Sequence, residues 1–356
     1  MISKWPYAPL FLLLSMTWKN GGVSARRLGV WLLYVLRYTC FEPLRLAERL
    51  VYDRAIRSHE LPSAPVFVLG HWRSGTSFLQ TLLSLDPRFT TSTIYRSLFS
   101  DVFYLTEGWF KPILGVCGRI LGIQYAIQRA PLDFDLPAEG DLALCCLSSR
   151  YSYTWGHVFP ARFNQWMQQL VFAPSESARA GWLDTCDYFL RKLSYRAGGK
   201  RVVLKSPGDT ARLAMLAERY PEATFIYIHR QPEAVFHSNR YLWKVVLQDH
   251  GVQSLTQEQV DDLIIENYAA LLSRYEAQRE AMPPERLVEV GYAALRDEPL
   301  EVLTQIYGQL GLGDVPKEEI ERFILQQRKY SPQTYDTTPA IRARLAEAWV
   351  GLRGPL

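Results

Sequence analysis

Short apolar runs, each closed by a turn residue and followed by an amphipathic stretch, recur along residues 60–330. Val66-Phe67-Val68-Leu69 is apolar at four consecutive positions and ends at Gly70, the pattern of a strand buried on both faces. Thr76 to Leu85 follows with Phe78, Leu79, Leu82, Leu83 and Leu85 at helical spacing. Arg201-Val202-Val203-Leu204, Thr224 to Ile228 and Leu287-Val288-Glu289-Val290 predict three more strands. Asp209 to Tyr220 reads as a helix that carries Leu213, Leu216 and Ala217 on one face and is stopped by Pro221. Helices are also predicted from Glu233 onward, over 299–312 and over 316–328. Strands that alternate with helices predict an α/β fold, a parallel sheet with helices on both faces.

Two apolar runs precede this pattern. Pro9 to Trp18 is ten residues long, too short to span a bilayer as a helix. It has no basic leader and no small-residue cleavage site, so a signal peptide is not expected. Leu28 to Leu36 lies between Arg26-Arg27 and Arg37. The first sixty residues hold nine basic and four acidic side chains. Two readings lead for this N-terminal helical segment, helices lying on an anionic membrane surface or a pair of helices packed on the main domain, with a spanning anchor third. Residues 108–127 are also apolar, with only Lys111 and Arg119 charged. They predict either the wall of an apolar pocket or a buried helix.

The chain has 356 residues, 48% hydrophobic and 21% charged, which excludes whole-chain disorder. A net charge of +4 does not argue for a nucleic-acid partner. The five cysteines are odd in number and contain no C-x-x-C, so neither a disulfide framework nor a zinc site is indicated. A reducing, cytoplasmic compartment is expected.

Candidate chemistry begins at Gly70-His71-Trp72-Arg73-Ser74-Gly75-Thr76-Ser77, between a predicted strand and a predicted helix. In that place backbone N–H groups and a helix N-terminus cradle a phosphate. The spacing is that of a nucleotide-binding P-loop, but Thr76 stands where that motif carries Lys, and the cation moves into the loop as Arg73. The Thr224–Ile228 strand ends in His229-Arg230 rather than in a carboxylate, so the usual Mg²⁺-holding arrangement is not visible. A second stretch, Arg230-Gln231-Pro232 through Ser238, places an Arg at the carboxyl end of a strand, where ligands bind in open α/β sheets, and a Ser in the helix that follows. Together they suit a second phosphate.

The two stretches, in this order, resemble the phosphosulfate and 3′-phosphate motifs of the PAPS-dependent sulfotransferase superfamily. Leu204-Lys205-Ser206-Pro207, Val290-Gly291-Tyr292-Ala293-Ala294-Leu295 and Arg328-Lys329-Tyr330 resemble further elements of it. The likeness runs from about residue 64 to 346 and is nearest to bacterial sulfotransferases acting on lipid or quinone alcohols. It divides the chain into an N-terminal segment, 1–62, and a sulfotransferase α/β domain, 63–356.

The resemblance implies transfer of a sulfuryl group from PAPS, without a metal, to a hydroxyl on an acceptor expected to be hydrophobic. It implies that Arg73 neutralises the leaving oxygen, with Lys205 as a second cation. Ser74, Gly75, Thr76 and Ser77 would hold the 5′-phosphate, and Arg230 and Ser238 the 3′-phosphate. Tyr292, Arg328 and Lys329 would complete the nucleotide site. A general base is also needed. Relatives often carry His where this chain has Asp209, and their acidic cluster is here interrupted by Gly140, which leaves Glu139, then Asp141, Asp209 and His71 as candidates. Two other readings remain: a P-loop nucleotide kinase or phosphotransferase, and a non-catalytic PAPS-binding protein.

Overall fold

The computed structural model describes residues 9–122, 124–125, 130–131, 133–147, 150–326 and 337–348. The described strands are β1 (Val66–Leu69), β2 (Phe89–Thr91), β3 (Gln124–Tyr125), β4 (Ala130–Pro131), β5 (Arg201–Lys205), β6 (Thr224–His229) and β7 (Leu287–Gly291). The chain divides into two compact units. One comprises residues 1–61, 92–199 and 241–260, the other 62–91, 200–240 and 261–356.

The second unit is built on a five-stranded sheet in the order β2-β5-β1-β6-β7, with every neighbouring pair parallel. Its alternating side chains feed two cores, as the period of two requires. Val66, Val68, Val203, Ile226, Ile228, Val288 and Val290 face one core, which they share with helix α3 (Thr76–Ser84) and the Pro299–Gln309 helix. Phe67 points the other way and stacks on Phe225 at 5.6 Å, while Tyr227 stacks on Tyr275 at 3.9 Å. Strands covered on both faces explain the uninterrupted apolar runs. The parallel order also sends the carboxyl ends of β1, β5, β6 and β7 to one edge.

Two predicted elements differ. The Asp209–Tyr220 stretch opens as a 3₁₀ turn, Pro207–Arg212, and becomes α-helical only over Leu213–Arg219. Pro207 presets the first turn, and an Arg212–Asp209 ion pair at 3.0 Å closes it. The apolar 108–127 segment forms a helix over Phe110–Ile120 on which only Gly118 is buried. Ile113, Val116 and Ile120 are exposed on it, so a buried helix is not what forms.

In the first unit, helices α1 (Pro9–Lys19) and α2 (Leu28–Ser58) replace the two short apolar runs. Leu12, Leu13 and Met16 of α1 enter a core with Tyr38, Trp155 and Phe159. The inner side of α2 buries charge: Glu48 pairs with Lys192, whose Nζ also donates to the Ser100 carbonyl at 2.6 Å, and Arg45 pairs with Glu42. None of the five cysteines is in a disulfide. Among the described residues no helix is long and apolar enough to cross a membrane.

Ile226 is fully buried on β6, an interior strand of the sheet. Ile226→Ala is expected to cost about 2–5 kcal/mol, read as a lower urea midpoint with an unchanged m-value.

Candidate active site

The loop that follows β1 is shaped by backbone conformations that few residues adopt. Gly70 has φ +141°, and a Cβ there would lie 2.6 Å from the Ile228 carbonyl oxygen. Gly75 has φ +107°, and its Cβ would lie 2.3 Å from the Tyr292 ring. Between them, Arg73 has φ 69° and is the one non-glycine with positive φ among the described residues. That conformation costs an L-residue roughly 1–3 kcal/mol, so surrounding bonds must hold it.

Those bonds come from the neighbouring strand ends. Arg230, directly after β6, donates from Nη1 to the Arg73 carbonyl at 3.2 Å. Ser238, in the Pro232–Asp249 helix, accepts from Arg73 Nε at 2.8 Å. Asn239 donates to the Trp72 carbonyl at 2.9 Å. Thr210, in the turn after β5, accepts from the Gly70 N–H at 2.7 Å. Arg230 also lies 4.6 Å over the ring of Tyr292, the residue that follows β7. The register pairs His229 with Gly291, which sets Arg230 and Tyr292 side by side at the sheet edge.

α3 begins at Thr76, directly after Gly75, and no side chain caps it. The first N–H groups of an uncapped helix are donors in need of an acceptor, and its dipole favours an anion there. With two guanidinium groups, three loop hydroxyls and these amides, the edge suits a ligand bearing two separated phosphate-type groups. Lys205, the last residue of β5 and the register partner of Val68, is buried with its charge at the same edge.

The structure thus brings together Arg73, Ser74, Gly75, Thr76, Ser77, Lys205, Arg230, Ser238 and Tyr292. Asn239 and Thr210 are additional. Asn239 adjoins Ser238 and Thr210 follows the Lys205-Ser206-Pro207 element, but no motif marks either. Arg328 and Lys329 lie outside the described residues.

The base candidates sit in unlike surroundings. His71 is buried, with Nδ1 against the Trp72 carbonyl at 2.9 Å and no partner at Nε2 among the described residues. Burial lowers its pKa to about 4, against a smaller raising effect of that bond, so the ring is neutral at pH 7. Asp209 is buried in the ion pair with Arg212. In the first unit, Asp141 is fully buried and accepts from Trp182 Nε1 at 3.2 Å. Glu139, which opens the Gly140–Cys146 helix, is only partly buried, and its carbonyl accepts from Ser97 Oγ at 3.3 Å.

Comparison with known proteins gives the family and the fold. A model of a sulfotransferase family matches residues 65–316. The omega-hydroxy-beta-dihydromenaquinone-9 sulfotransferase Stf3 of Mycobacterium tuberculosis is 29% identical over 353 residues, 98% of this chain and 83% of that protein. The protein of the same name from Mycobacterium bovis gives the same figures. Among solved structures, the sulfotransferase STF9 from Mycobacterium avium has the same fold, with a TM-score of 0.69 at 17% identity over 100% of this chain and 99% of that one. The sulfotransferase STF1 from Mycobacterium tuberculosis has a TM-score of 0.66 at 18% identity, covering 95% and 91%.

Two outcomes are expected. Asn239→Ala removes one donor to the Trp72 carbonyl, which keeps its contact with His71 Nδ1, and should lower the thermal midpoint by the equivalent of about 0.5–1.5 kcal/mol, the net worth of a hydrogen bond. For His71 the sign follows from its lowered pKa. Between about pH 6.5 and 4 the unfolded chain binds a proton that the folded chain refuses, so its stabilising contribution is full above pH 6.5 and is lost on acidification towards pH 4. Unfolding midpoints measured across that range should rise less steeply with pH in His71→Gln than in the wild type.

Proposed function

The chain belongs to the sulfotransferase family, and on that premise we propose that it moves the sulfuryl group of PAPS to a hydroxyl of a hydrophobic, lipid-like alcohol. One observation supports the donor reading above the others: Arg73, Arg230 and Ser238, far apart in sequence, meet in a bonded cluster on an uncapped helix terminus. An ATP-dependent kinase lacks support in a member of this family.

In this reading the N–H groups at the start of α3 and the hydroxyls of Thr76 and Ser77 hold the 5′-phosphate. Arg230 and Ser238 hold the 3′-phosphate. The Ser238 hydroxyl accepts from Arg73 and keeps its own proton for a phosphate oxygen. Arg73 and Lys205 neutralise the charge that builds on the bridging oxygen as its bond to sulfur breaks. The acceptor oxygen forms the new bond to sulfur, and its proton passes to a base. Catalysis is then positioning and charge stabilisation, as in phosphoryl transfer. A metal has no assigned part in it.

Glu139 is proposed as the base. It is the least buried of the three carboxylates considered, whereas Asp141 and Asp209 are held in buried bonds. The acceptor class rests on the Stf3 proteins, which are named for a hydroxylated menaquinone derivative. An acceptor of this kind partitions into lipid, and we place the enzyme in the cytoplasm against the inner face of a membrane.

Calorimetric titration with adenosine 3′,5′-bisphosphate tests the donor site. Micromolar binding is expected, weaker with ADP, and at least about tenfold weaker for Arg230→Ala, since a hydrogen bond to a charged group is worth about 1.5–3 kcal/mol. Equal binding of ADP would overturn the reading. Glu139→Gln should leave that affinity unchanged and lower kcat by about 10²–10⁴ on any accepted alcohol.

A further inference from the structure

Helix α2 turns a row of apolar side chains outward, although Tyr38 and Ile56 are buried on its inner side. A helix of a globular protein normally turns its apolar stripe inward and its charges outward. Here the buried residues of α2 include Arg45 and Glu48. The exposed ones include Leu28, Leu32, Leu36, Leu46 and Leu50, with Leu50 88% exposed. Exposed Cys40 and Pro43 fill the gap, so the series 28, 32, 36, 40, 43, 46, 50 keeps close to 3.6 residues per turn and forms one stripe. Neighbouring elements continue the pattern. Trp18, at the end of α1, is 88% exposed. The Phe110–Ile120 helix exposes Ile113, Val116 and Ile120, with Trp109 just before it. Phe41 of α2 meets Phe110 at 5.3 Å, so the two stripes are carried by elements packed directly together.

Charge indicates what covers this surface. Every acidic side chain of α2 is already paired, Glu42 with Arg45, Glu48 with Lys192 and Asp53 with Arg57. Lys19, Arg26, Arg54 and Arg119 have no carboxylate partner among the described residues. An apolar stripe edged by unneutralised cations and by tryptophan is complementary to lipid with anionic headgroups. A second copy of the chain would bring the same cations against themselves.

We propose that α2 and the Phe110–Ile120 helix, with the end of α1, form a docking surface that lies in the headgroup region of an anionic bilayer without crossing it. The proposal deepens the lipid-acceptor reading and rests on it for its purpose, since the surface would bring the enzyme to where such an acceptor dissolves.

Flotation of the full chain with vesicles of phosphatidylglycerol in phosphatidylcholine tests it. The wild type should float with these vesicles, much less with phosphatidylcholine alone, and less as salt is raised. Leu36→Glu with Ile113→Glu should reduce partitioning at least about tenfold, because two charges replace apolar contact with lipid. Arg26→Gln should weaken binding about fivefold, the equivalent of about 1 kcal/mol per basic residue near an anionic surface. Both positions substituted by Glu are solvent-facing, and titration with adenosine 3′,5′-bisphosphate checks that the variants fold. A wild type that stays unbound, or a double variant that floats equally well, overturns the proposal. So does a wild-type dimer that the double variant converts to monomer, because a second copy would then own the surface. Vesicle binding without bisphosphate binding would instead count against the donor reading and leave the surface standing.

Discussion

Backbone amides converge on one anion only where the chain bends through conformations that L-residues avoid, and the second unit is organised around holding such a bend. Gly70 and Gly75 supply two of its positive-φ positions at no side-chain cost. Arg73 supplies the third and must be restrained. Its carbonyl, its Nε and the carbonyl of Trp72 before it are each tied by a residue from beyond β6, and the Gly70 amide is tied by the turn after β5. These clamps come from separate segments, and only a parallel sheet with β1 between β5 and β6 delivers them to one point. The fold class is therefore a requirement of the loop.

The first unit meets a different constraint. Lys192 and Glu48 are both buried, and burying an ion pair is costly unless its remaining hydrogen-bonding capacity is filled. Here it is filled: Lys192 also bonds the Ser100 carbonyl and lies 4.6 Å from the Phe103 ring, while Glu48 accepts the Leu105 amide at 3.2 Å. The pair fixes α2 to the Glu176–Arg196 helix through charge. A helix anchored by charge on its inner side is free to carry leucine on the outer one.

What was legible in the sequence was local. The apolar runs of β1, β5 and β6 lie between turn residues and are buried on both faces, so composition alone reveals them, while β7, at the sheet edge with Glu289 exposed, shows the alternation of a half-covered strand. The loop from Gly70 to Ser77 is legible because its glycines and hydroxyls lie close together in the sequence. β2 escaped because Phe89-Thr90-Thr91 is three residues long and two of the three are polar. The Phe110–Ile120 helix was legible as apolar but not as exposed, since a periodic stripe does not say which medium it faces. Asn239 and Thr210 escaped because each acts on a backbone atom of a distant segment, a contact that leaves no spacing rule.

The contact between Gly75 and Tyr292 couples two places in the gene. With the ring as close as it is, a side chain at position 75 needs a smaller residue at 292 and still bears the strain of φ +107°, and a smaller residue at 292 leaves Arg230 without the face it rests on. Drift at any of the three is thus gated by the other two. Diversification aimed at a new nucleotide donor would have to vary 75, 230 and 292 as one unit, because a library that samples them singly explores mostly dead ends.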